Sequence, residues 1–151
     1  MTVEAFWNSF LKETGRDNDT TYIDCFHFEL TEQLANELLH LVLIGQKQAT
    51  ASSLWGYEIE GDKIPEVGDL YIITNWDGEP KCVIETTNVT ILPYKDVTYD
   101  ICKREGEDDS LESWRWGHEA FFRSEGEELG YNFTEEMPVI FEDFHIIYKL
   151  D

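Results

Sequence analysis

The 151-residue sequence is short of basic side chains: 11 Lys and Arg stand against 32 Asp and Glu, for a formal net charge of −21. A field of this sign repels phosphate backbones at long range. The composition therefore counts against tight, non-specific binding to nucleic acid, which depends on clustered Lys and Arg. We expect no DNA partner. A small nucleoside is not excluded, because it carries no phosphate.

Signals of several other protein classes are also missing. The three cysteines, Cys25, Cys82 and Cys102, are widely spaced and form no CxxC pair, which favours reduced thiols over a disulfide framework or a zinc site. The apolar runs are far shorter than a membrane span, and the chain starts with an acidic amphipathic segment instead of a signal peptide. Neither GxGxxG nor a P-loop occurs. We expect a cytoplasmic protein with no membrane partner, no metal and no cofactor.

Apolar residues are abundant enough for a folded core. Hydrophobic residues make up 42% of the chain and aromatic residues 14%, and this length is that of one ordinary domain. The sequence contains no internal repeat and no linker. We therefore predict a single domain over residues 1–151.

Apolar residues spaced by three and four positions predict three helices. We expect the first over residues 3–14, the second between Thr31 and Gly45, and the third from the N-cap Ser110 onward. His118 lies on the apolar face of the third helix, where a hydrogen-bonded, half-buried structural histidine is the expected role. The aromatic side chains of this helix are assigned to the core: Trp114, Trp116, Phe121 and Phe122.

Runs of β-branched and aromatic residues predict strands at 70–76, 81–94 and 137–150, with a hairpin turn at "DGEP". Residues 22–30 form either a short strand or an extended segment, and 95–109 a short helix followed by an acidic loop. Helices and strands do not alternate as they do in a parallel sheet. We therefore predict an α+β fold around a small, bent, mostly antiparallel sheet.

The stretch "GQKQAT", residues 45–50, places a rare lysine just past the end of the second helix. A threonine hydroxyl becomes a strong nucleophile when a base takes its proton, and a lysine can be that base when burial lowers its pKa. In an extended turn, the spacing of Lys47 and Thr50 can bring both side chains to one pocket. A surface lysine that satisfies the last helix carbonyls, beside a threonine that starts a strand, explains the same spacing.

Acidic residues crowd the loop ahead of the third helix. Anions there interact favourably with the helix dipole, but four acids in five residues exceed what one helix end needs. A carboxylate that faces Lys47 would complete a set of nucleophile, base and orienting group. The candidates are Glu105, Glu107, Asp108 and Asp109.

Four further residues are candidates for binding a substrate. Ser52 and Trp55 follow Thr50 closely, and an aromatic ring can stack on a flat base. Glu85 is an acid in an otherwise apolar strand, where it either faces water or accepts a ligand amine. Arg115 either pairs with a nearby acid or contacts the ligand.

These segments resemble the ASCH (activating signal cointegrator homology) family in its larger bacterial branch. "GQKQAT" fits the GxKxxT signature, and "EGEDDSLESWRWGHEAFF" fits an EGxxDSLxxWRxxH block at the right distance. "VGDLYIITNWDGEPKCVIETTNVTILPY" and "PVIFEDFHIIY" resemble family segments in the same order, so the resemblance covers the chain from Tyr22 on. It implies a PUA-like fold, which is a bent β-barrel with helices packed around a cleft.

The resemblance also implies functions. The family was proposed to bind RNA, some small bacterial members resemble amidohydrolases that deacetylate N4-acetylcytidine, and another member resembles a metal-aided ribonuclease. The amidohydrolase residues fall on Lys47, Thr50 and Glu107, with Glu105 as the competitor for the glutamate position. Lys47 would take the Thr50 proton, and Glu107 would position Lys47. This chain differs from the small amidohydrolases in a helical extension at 1–20 and a longer acidic block.

We therefore expect an amidohydrolase that acts on an acylated nucleoside such as N4-acetylcytidine. The alternatives are a domain that binds RNA or a modified nucleoside without catalysis, and a metal-aided ribonuclease. The expected partner is accordingly a small-molecule nucleoside or RNA.

Overall fold

A curled, five-stranded sheet forms the centre of the protein, in a computed structural model that describes residues 1–150. The strands are β1 (Asp24–Phe26), β2 (Ala49–Ser53), β3 (Leu70–Thr74), β4 (Pro80–Pro93) and β5 (Pro138–Lys149). Their order in the sheet is β1-β3-β4-β5-β2. β1 runs parallel to β3, and the other neighbouring pairs are antiparallel. The predicted α+β, PUA-like fold is confirmed, with the sheet forming a half-barrel.

The helices are α1 (Val3–Thr14), α2 (Glu32–Leu43), α3 (Leu54–Glu60), α4 (Tyr99–Cys102) and α5 (Leu111–Leu129). Short 3₁₀ turns lie at Tyr94–Asp96 and Lys103–Glu105. The predicted N-cap Ser110 is confirmed, and Thr2 and Thr31 cap α1 and α2 in the same way, since each side chain accepts a backbone N–H of the first turn. Within residues 1–150, no helix has both the length and the apolar character needed to cross a bilayer.

The curl of the sheet comes from the long β4–β5 pair. Its register shifts between Val83 and Ile84 and again between Thr86 and Asn88. Such bulges bend a strand and increase its twist. The N-terminal half of β5 can therefore pair with β4 on one side and with β2 on the other. This arrangement creates a concave surface beside β2.

Helices bury the two sides of the sheet. α1 packs Phe6 and Phe10 against Ile72 and Val83. α2 packs Leu39 and Val42 against the opposite face of β3 and β4. α5 closes a third cluster around Trp114 and Phe122. Full burial of each large apolar side chain contributes about 1.5–3 kcal/mol. These three clusters fix the sheet and α5 in the positions that form the cleft described below.

Two aromatic residues of α5 are not in the core, contrary to the prediction from the sequence. Trp116 is 81% exposed and Phe121 is 44% exposed, whereas Trp114 and Phe122 are fully buried. Residues two apart on a helix do not share a face. Trp116 therefore points to solvent when Trp114 points inward. Phe121 lies at the edge of the buried stripe and reaches the rim of the cleft.

Candidate active site

The Lys47 side chain is buried, with only 2% of the residue exposed. Its Nζ donates to the Ala49 carbonyl at 2.8 Å and to Glu107 Oε2 at 2.6 Å, and it lies 3.5 Å from Glu105 Oε2. The Phe28 ring covers it, with its centroid 5.5 Å from Nζ. A buried ammonium without partners would be very costly. Lys47 is therefore held by two carboxylates in the interior and is not a surface lysine.

The turn after α2 brings Lys47 inward. Gly45 adopts φ +82°, a conformation that favours glycine. The backbone N–H groups of Gln46 and Lys47 then both donate to the Leu41 carbonyl, and that of Gln48 donates to the Arg104 carbonyl at 2.9 Å. The chain thus leaves the helix and enters β2 within a few residues, tied to the loop that carries the acids.

Gly106 allows the two loops to approach each other closely. The Gln46 side chain donates to the Gly106 carbonyl at 2.7 Å. Gly106 has φ +74°, and a Cβ atom there would lie 2.3 Å from the Gln46 carbonyl oxygen. Only glycine satisfies both conditions. The residues on either side, Glu105 and Glu107, are thereby placed at Lys47.

Glu105 is a buried anion with a full set of donors, and only 3% of the residue is exposed. Its Oε1 accepts the Trp114 indole N–H at 2.8 Å and lies 3.2 Å from His118 Nε2. Burial alone would raise the pKa of Glu105, but the charge of Lys47 and the contacts with His118 and Trp114 hold it well below its usual range. Glu105 therefore stays ionised and fixed in place.

His118 completes this buried network. Its Nδ1 lies 2.9 Å from the Trp114 carbonyl and its Nε2 lies 3.2 Å from Glu105 Oε1. Both neighbours are acceptors, so the arrangement suits the doubly protonated ring. Burial acts to lower the pKa of His118, but the hydrogen bond and the charge of Glu105 raise it above the usual value. The network thus contains two cations, Lys47 and His118, and two carboxylates, Glu105 and Glu107.

The His118 contacts predict a pH-dependent contribution to stability. A pKa raised by folding stabilises the protein below the unfolded pKa of about 6.5, and this stability is lost as pH rises through the folded value. At pH 6 we expect the free energy of unfolding of wild type to exceed that of His118→Gln by about 1.5 kcal/mol, the size of a hydrogen bond to a charged group. Urea unfolding of both proteins from pH 6 to 9 should show this difference shrinking. A difference that is constant or grows with pH would contradict the assignment.

Glu107 is the more accessible of the two carboxylates, with its side chain 23% exposed. Burial raises its pKa, and repulsion from Glu105 adds to this, against the attraction of Lys47. Glu107 therefore takes up a proton at higher pH than an ordinary glutamate. Glu105 is therefore the fully buried, ionised partner of Lys47, whereas Glu107 is the partly exposed partner with the raised pKa.

A cleft of about 600 Å³ lies next to this network. Lys47, Thr50 and Glu107 all line it, although they come from the α2–β2 turn, β2 and the loop before α5. Ser52 and Glu105 line it as well. In β2 the side chains of Thr50 and Ser52 share one face, because alternate residues of a strand point the same way. The cleft therefore holds a hydroxyl, an ammonium and two carboxylates in one space.

The ASCH-domain family model matches residues 24–148 of the chain. The chain belongs to the ASCH-domain family. It is similar to the crystal structure of an ASCH domain from Lactobacillus crispatus JV V101, with 35% identity, a TM-score of 0.86 and coverage of 96% of this chain and 93% of that one. A protein structure from Enterococcus faecalis V583 is 31% identical, with a TM-score of 0.88 and coverage of 96% and 87%. No curated protein matches the chain.

ASCH domains are generally associated with RNA binding. The cleft of this ASCH domain is acidic, however. Lys47 and His118 line it and both contact carboxylates, and a second histidine, His27, lines it as well. Within residues 1–150, no group of three His, Cys, Asp or Glu side chains is arranged to hold a metal ion. The acidic lining residues are Glu29, Glu60, Asp62, Glu105, Glu107, Asp108 and Glu125.

Three of the predicted substrate-binding residues lie outside the cleft lining. Trp55 packs against the α5 core cluster. Glu85 faces the α1 side of the sheet, where its carboxylate lies 3.9 Å from Arg16 and 3.3 Å from the His145 ring. Arg115 donates to the Lys95 carbonyl at 3.4 Å instead of pairing with an acid.

One carboxylate that lies close to Thr50 is not among the residues predicted from the sequence. Glu142 of β5 is directly opposite Thr50 of β2 in the sheet and is buried. The signal was available, since an acid within the apolar run "PVIFEDFHIIY" requires a partner. The sequence could not show that β5 pairs with β2, which is what places this acid near the cleft.

Proposed function

We propose that this ASCH domain is a hydrolase that removes an acyl group from the amine of a nucleoside or a similar small molecule. The observation that supports it is the buried Lys47, 2.6 Å from Glu107, in a cleft that Thr50 also lines. A hydroxyl, an amine and an orienting carboxylate make up the nucleophile, base and orienter of covalent acyl transfer.

The proposed reaction starts with a proton transfer inside the ion pair. Glu107 takes a proton from the Lys47 ammonium, and the resulting amine accepts the proton of the Thr50 hydroxyl. The Thr50 oxygen then forms a bond to the acyl carbon. Lys47 delivers its proton to the nitrogen as the carbon–nitrogen bond breaks, so the free amine leaves and an ester remains on Thr50. Glu105 stays ionised throughout and keeps Lys47 in position.

Hydrolysis of the ester uses the same groups in reverse. A water molecule attacks the acyl carbon and gives a proton to Lys47, which passes it to the departing Thr50 oxygen. The products are a carboxylic acid and the restored threonine, and Glu107 gives back to Lys47 the proton that it took at the start. Ser52 lies on the same face of β2 and lines the cleft, so its hydroxyl can donate to the oxyanion of the tetrahedral intermediate.

The charge of the cleft indicates which substrates suit it. Seven acidic side chains line it, and Lys47 and His118 are already in contact with carboxylates. A phosphate group would be repelled. The proposal is therefore for a neutral or cationic substrate, and N4-acetylcytidine is the probe we choose.

Replacement of the Thr50 hydroxyl tests the proposal. Wild-type protein should release cytidine from N4-acetylcytidine with or without a chelator, and Thr50→Val should reduce kcat at least about 100-fold, because it removes a nucleophile but keeps the shape suited to a strand. Thr50→Ser, the matched control, should retain activity, and thermal unfolding should verify that all variants are folded. Full activity in Thr50→Val would reject the mechanism. No release by folded wild type would reject this substrate.

RNA binding without chemistry is the second candidate, because ASCH domains are associated with RNA. A titration of labelled single-stranded RNA across salt concentrations separates the two. RNA binding would give micromolar or tighter affinity that falls steeply with salt. Cleavage of that RNA, abolished by a chelator, would instead favour the metal-aided ribonuclease. The acidic cleft leads us to expect neither result.

A further inference from the structure

A second, smaller space adjoins the cleft at Thr50. This recess has a volume of about 250 Å³. Thr50, Ser52 and Tyr57 line both the recess and the main cleft, as do two phenylalanines, Phe26 and Phe28. The two spaces therefore share a wall that contains the proposed nucleophile. A group bound in the recess would therefore lie beside Thr50.

The walls of the recess are mainly aromatic. Phe26 and Phe28 are joined there by Tyr71 and Phe144. Aromatic faces accommodate flat rings. The volume is below the range of roughly 300–1,000 Å³ that is typical of sites for whole drug-sized ligands. The recess is thus suited to one flat ring and not to a complete nucleoside, whose sugar would remain in the larger cleft.

A buried carboxylate, Glu142, lies in this recess with 7% of the residue exposed. It is opposite Thr50 in the β2–β5 pair, and side chains in that relation have Cβ atoms about 4.5–5.5 Å apart and point to the same face. The hydroxyl of Thr86 donates to Glu142 Oε2 at 2.6 Å. Thr86 is a neutral partner, and within residues 1–150 Glu142 makes no ion pair like that between Lys47 and Glu105. Burial raises the pKa of Glu142. Asp24, which also lines the recess, adds to its negative character.

We propose that the recess is a specificity subsite for the flat, amine-bearing ring of the substrate, with Glu142 accepting an N–H of that amine. This assignment rests on the proposed function for its catalytic meaning, because Thr50 would attack the acyl carbon attached to the same nitrogen. A ring that lacks the amine would leave a buried acceptor unpaired, which is a strong basis for discrimination. The substrate class is therefore an N-acylated aromatic amine.

Binding of the reaction product tests the subsite without any need for turnover. The probes are cytidine and the pyrimidin-2-one ribonucleoside, which differ only in the ring amine. Calorimetric titration of wild type should give at least about ten-fold tighter binding of cytidine, since a hydrogen bond to a charged acceptor is worth about 1.5 kcal/mol or more. Adenosine and purine ribonucleoside form a second matched pair with a larger ring.

Variants of Glu142 assign the preference to this residue. Glu142→Leu removes the acceptor and should bring the affinities for the two nucleosides to within about two-fold of each other. Glu142→Gln keeps an uncharged acceptor, so its preference for cytidine should lie between those of Glu142→Leu and wild type. Glu60→Gln, which changes an exposed acid of the main cleft, should keep the wild-type preference. Thermal unfolding should verify that each variant is folded.

The outcomes separate this proposal from the catalytic one. Equal affinities in wild type, failure of both nucleosides to bind, or an amine preference that survives in Glu142→Leu would each overturn the subsite. An amine preference that depends on Glu142, in a protein that releases no cytidine from N4-acetylcytidine, would support the subsite and count against hydrolysis.

Discussion

Glu105→Gln is expected to lower the free energy of unfolding by about 3 to 5 kcal/mol, the usual cost of removing one partner of a buried ion pair. Glu105 contacts two cations, Lys47 and His118, and it accepts the Trp114 indole N–H. The amide keeps the shape of the side chain but removes its charge. Both cations would then remain buried with less compensation. Urea denaturation at pH 7 measures the loss.

Glu107→Gln is the matched control, because it makes the same chemical change two residues away. The Glu107 side chain is partly exposed, so water can compensate for its loss, and removing its charge also relieves repulsion with Glu105. We expect a loss of about 1 kcal/mol. Equal losses in the two variants would show that Glu105 is not the anchor of the network.

Gly106→Ala is expected to destabilise the protein by about 3 to 4 kcal/mol and to disrupt the network around Lys47. A left-handed conformation costs a non-glycine residue about 1–2 kcal/mol, and forcing an extra carbon into a packed space adds about 1–3 kcal/mol. The new Cβ atom would lie 2.3 Å from the Gln46 carbonyl oxygen and 3.0 Å from the Lys47 Cα atom. Relieving these contacts must move Glu105 and Glu107 away from Lys47.

Gly15→Ala separates backbone strain from the steric clash. Gly15 has φ +71°, close to the +74° of Gly106, but no atom lies within 4 Å of the Cβ position. We expect a loss of about 1 to 2 kcal/mol, from the conformational term alone. Thermal and urea unfolding of both variants give the comparison. Similar losses would mean that the close approach at Gly106 is unimportant.

Elements defined by local signals could be predicted from the sequence. The limits of α1 and α2 follow from a capping hydroxyl at one end and a glycine at the other, and these interactions involve neighbouring residues. α3 was missed because its seven residues are too few to establish a helical period, although Ser53 is a suitable cap. The pairing of β1 with β3, and of β2 with β5, depends on contacts between distant parts of the chain.

In the site, too, local spacing could be predicted from the sequence, whereas contacts between distant residues could not. The spacing of Lys47 and Thr50 indicated a shared pocket, and both residues line the cleft. Trp114 and His118 were interpreted as structural, but their hydrogen bonds to Glu105 were not foreseen. A buried indole N–H needs an acceptor, so the sequence required a partner for Trp114 without identifying it.

The choice among acids in the strands depended on register. Glu85 of β4 and Glu142 of β5 give the same pattern, a carboxylate among apolar residues. A shift of one residue in register moves a side chain to the other face of a sheet, and the β4–β5 pair contains two such irregularities. These two bulges could not be predicted from the sequence. Glu142 therefore faces the cleft side and Glu85 the opposite side, for reasons that only the folded sheet reveals.

The pairing of β2 has a consequence for how the protein is made. β5 is the strand next to β2 in the sheet, and it follows β2, β3 and β4 along the chain. A ribosome therefore releases β3 and β4, which can pair as a hairpin, long before β2 finds its neighbour. Until β5 has been synthesised, the segment that carries Lys47 and Thr50 has no neighbouring strand with which to pair. Translation that stops before Pro138 would leave β2 without its partner strand, so the cleft around Lys47 and Thr50 forms only after β5 has been synthesised.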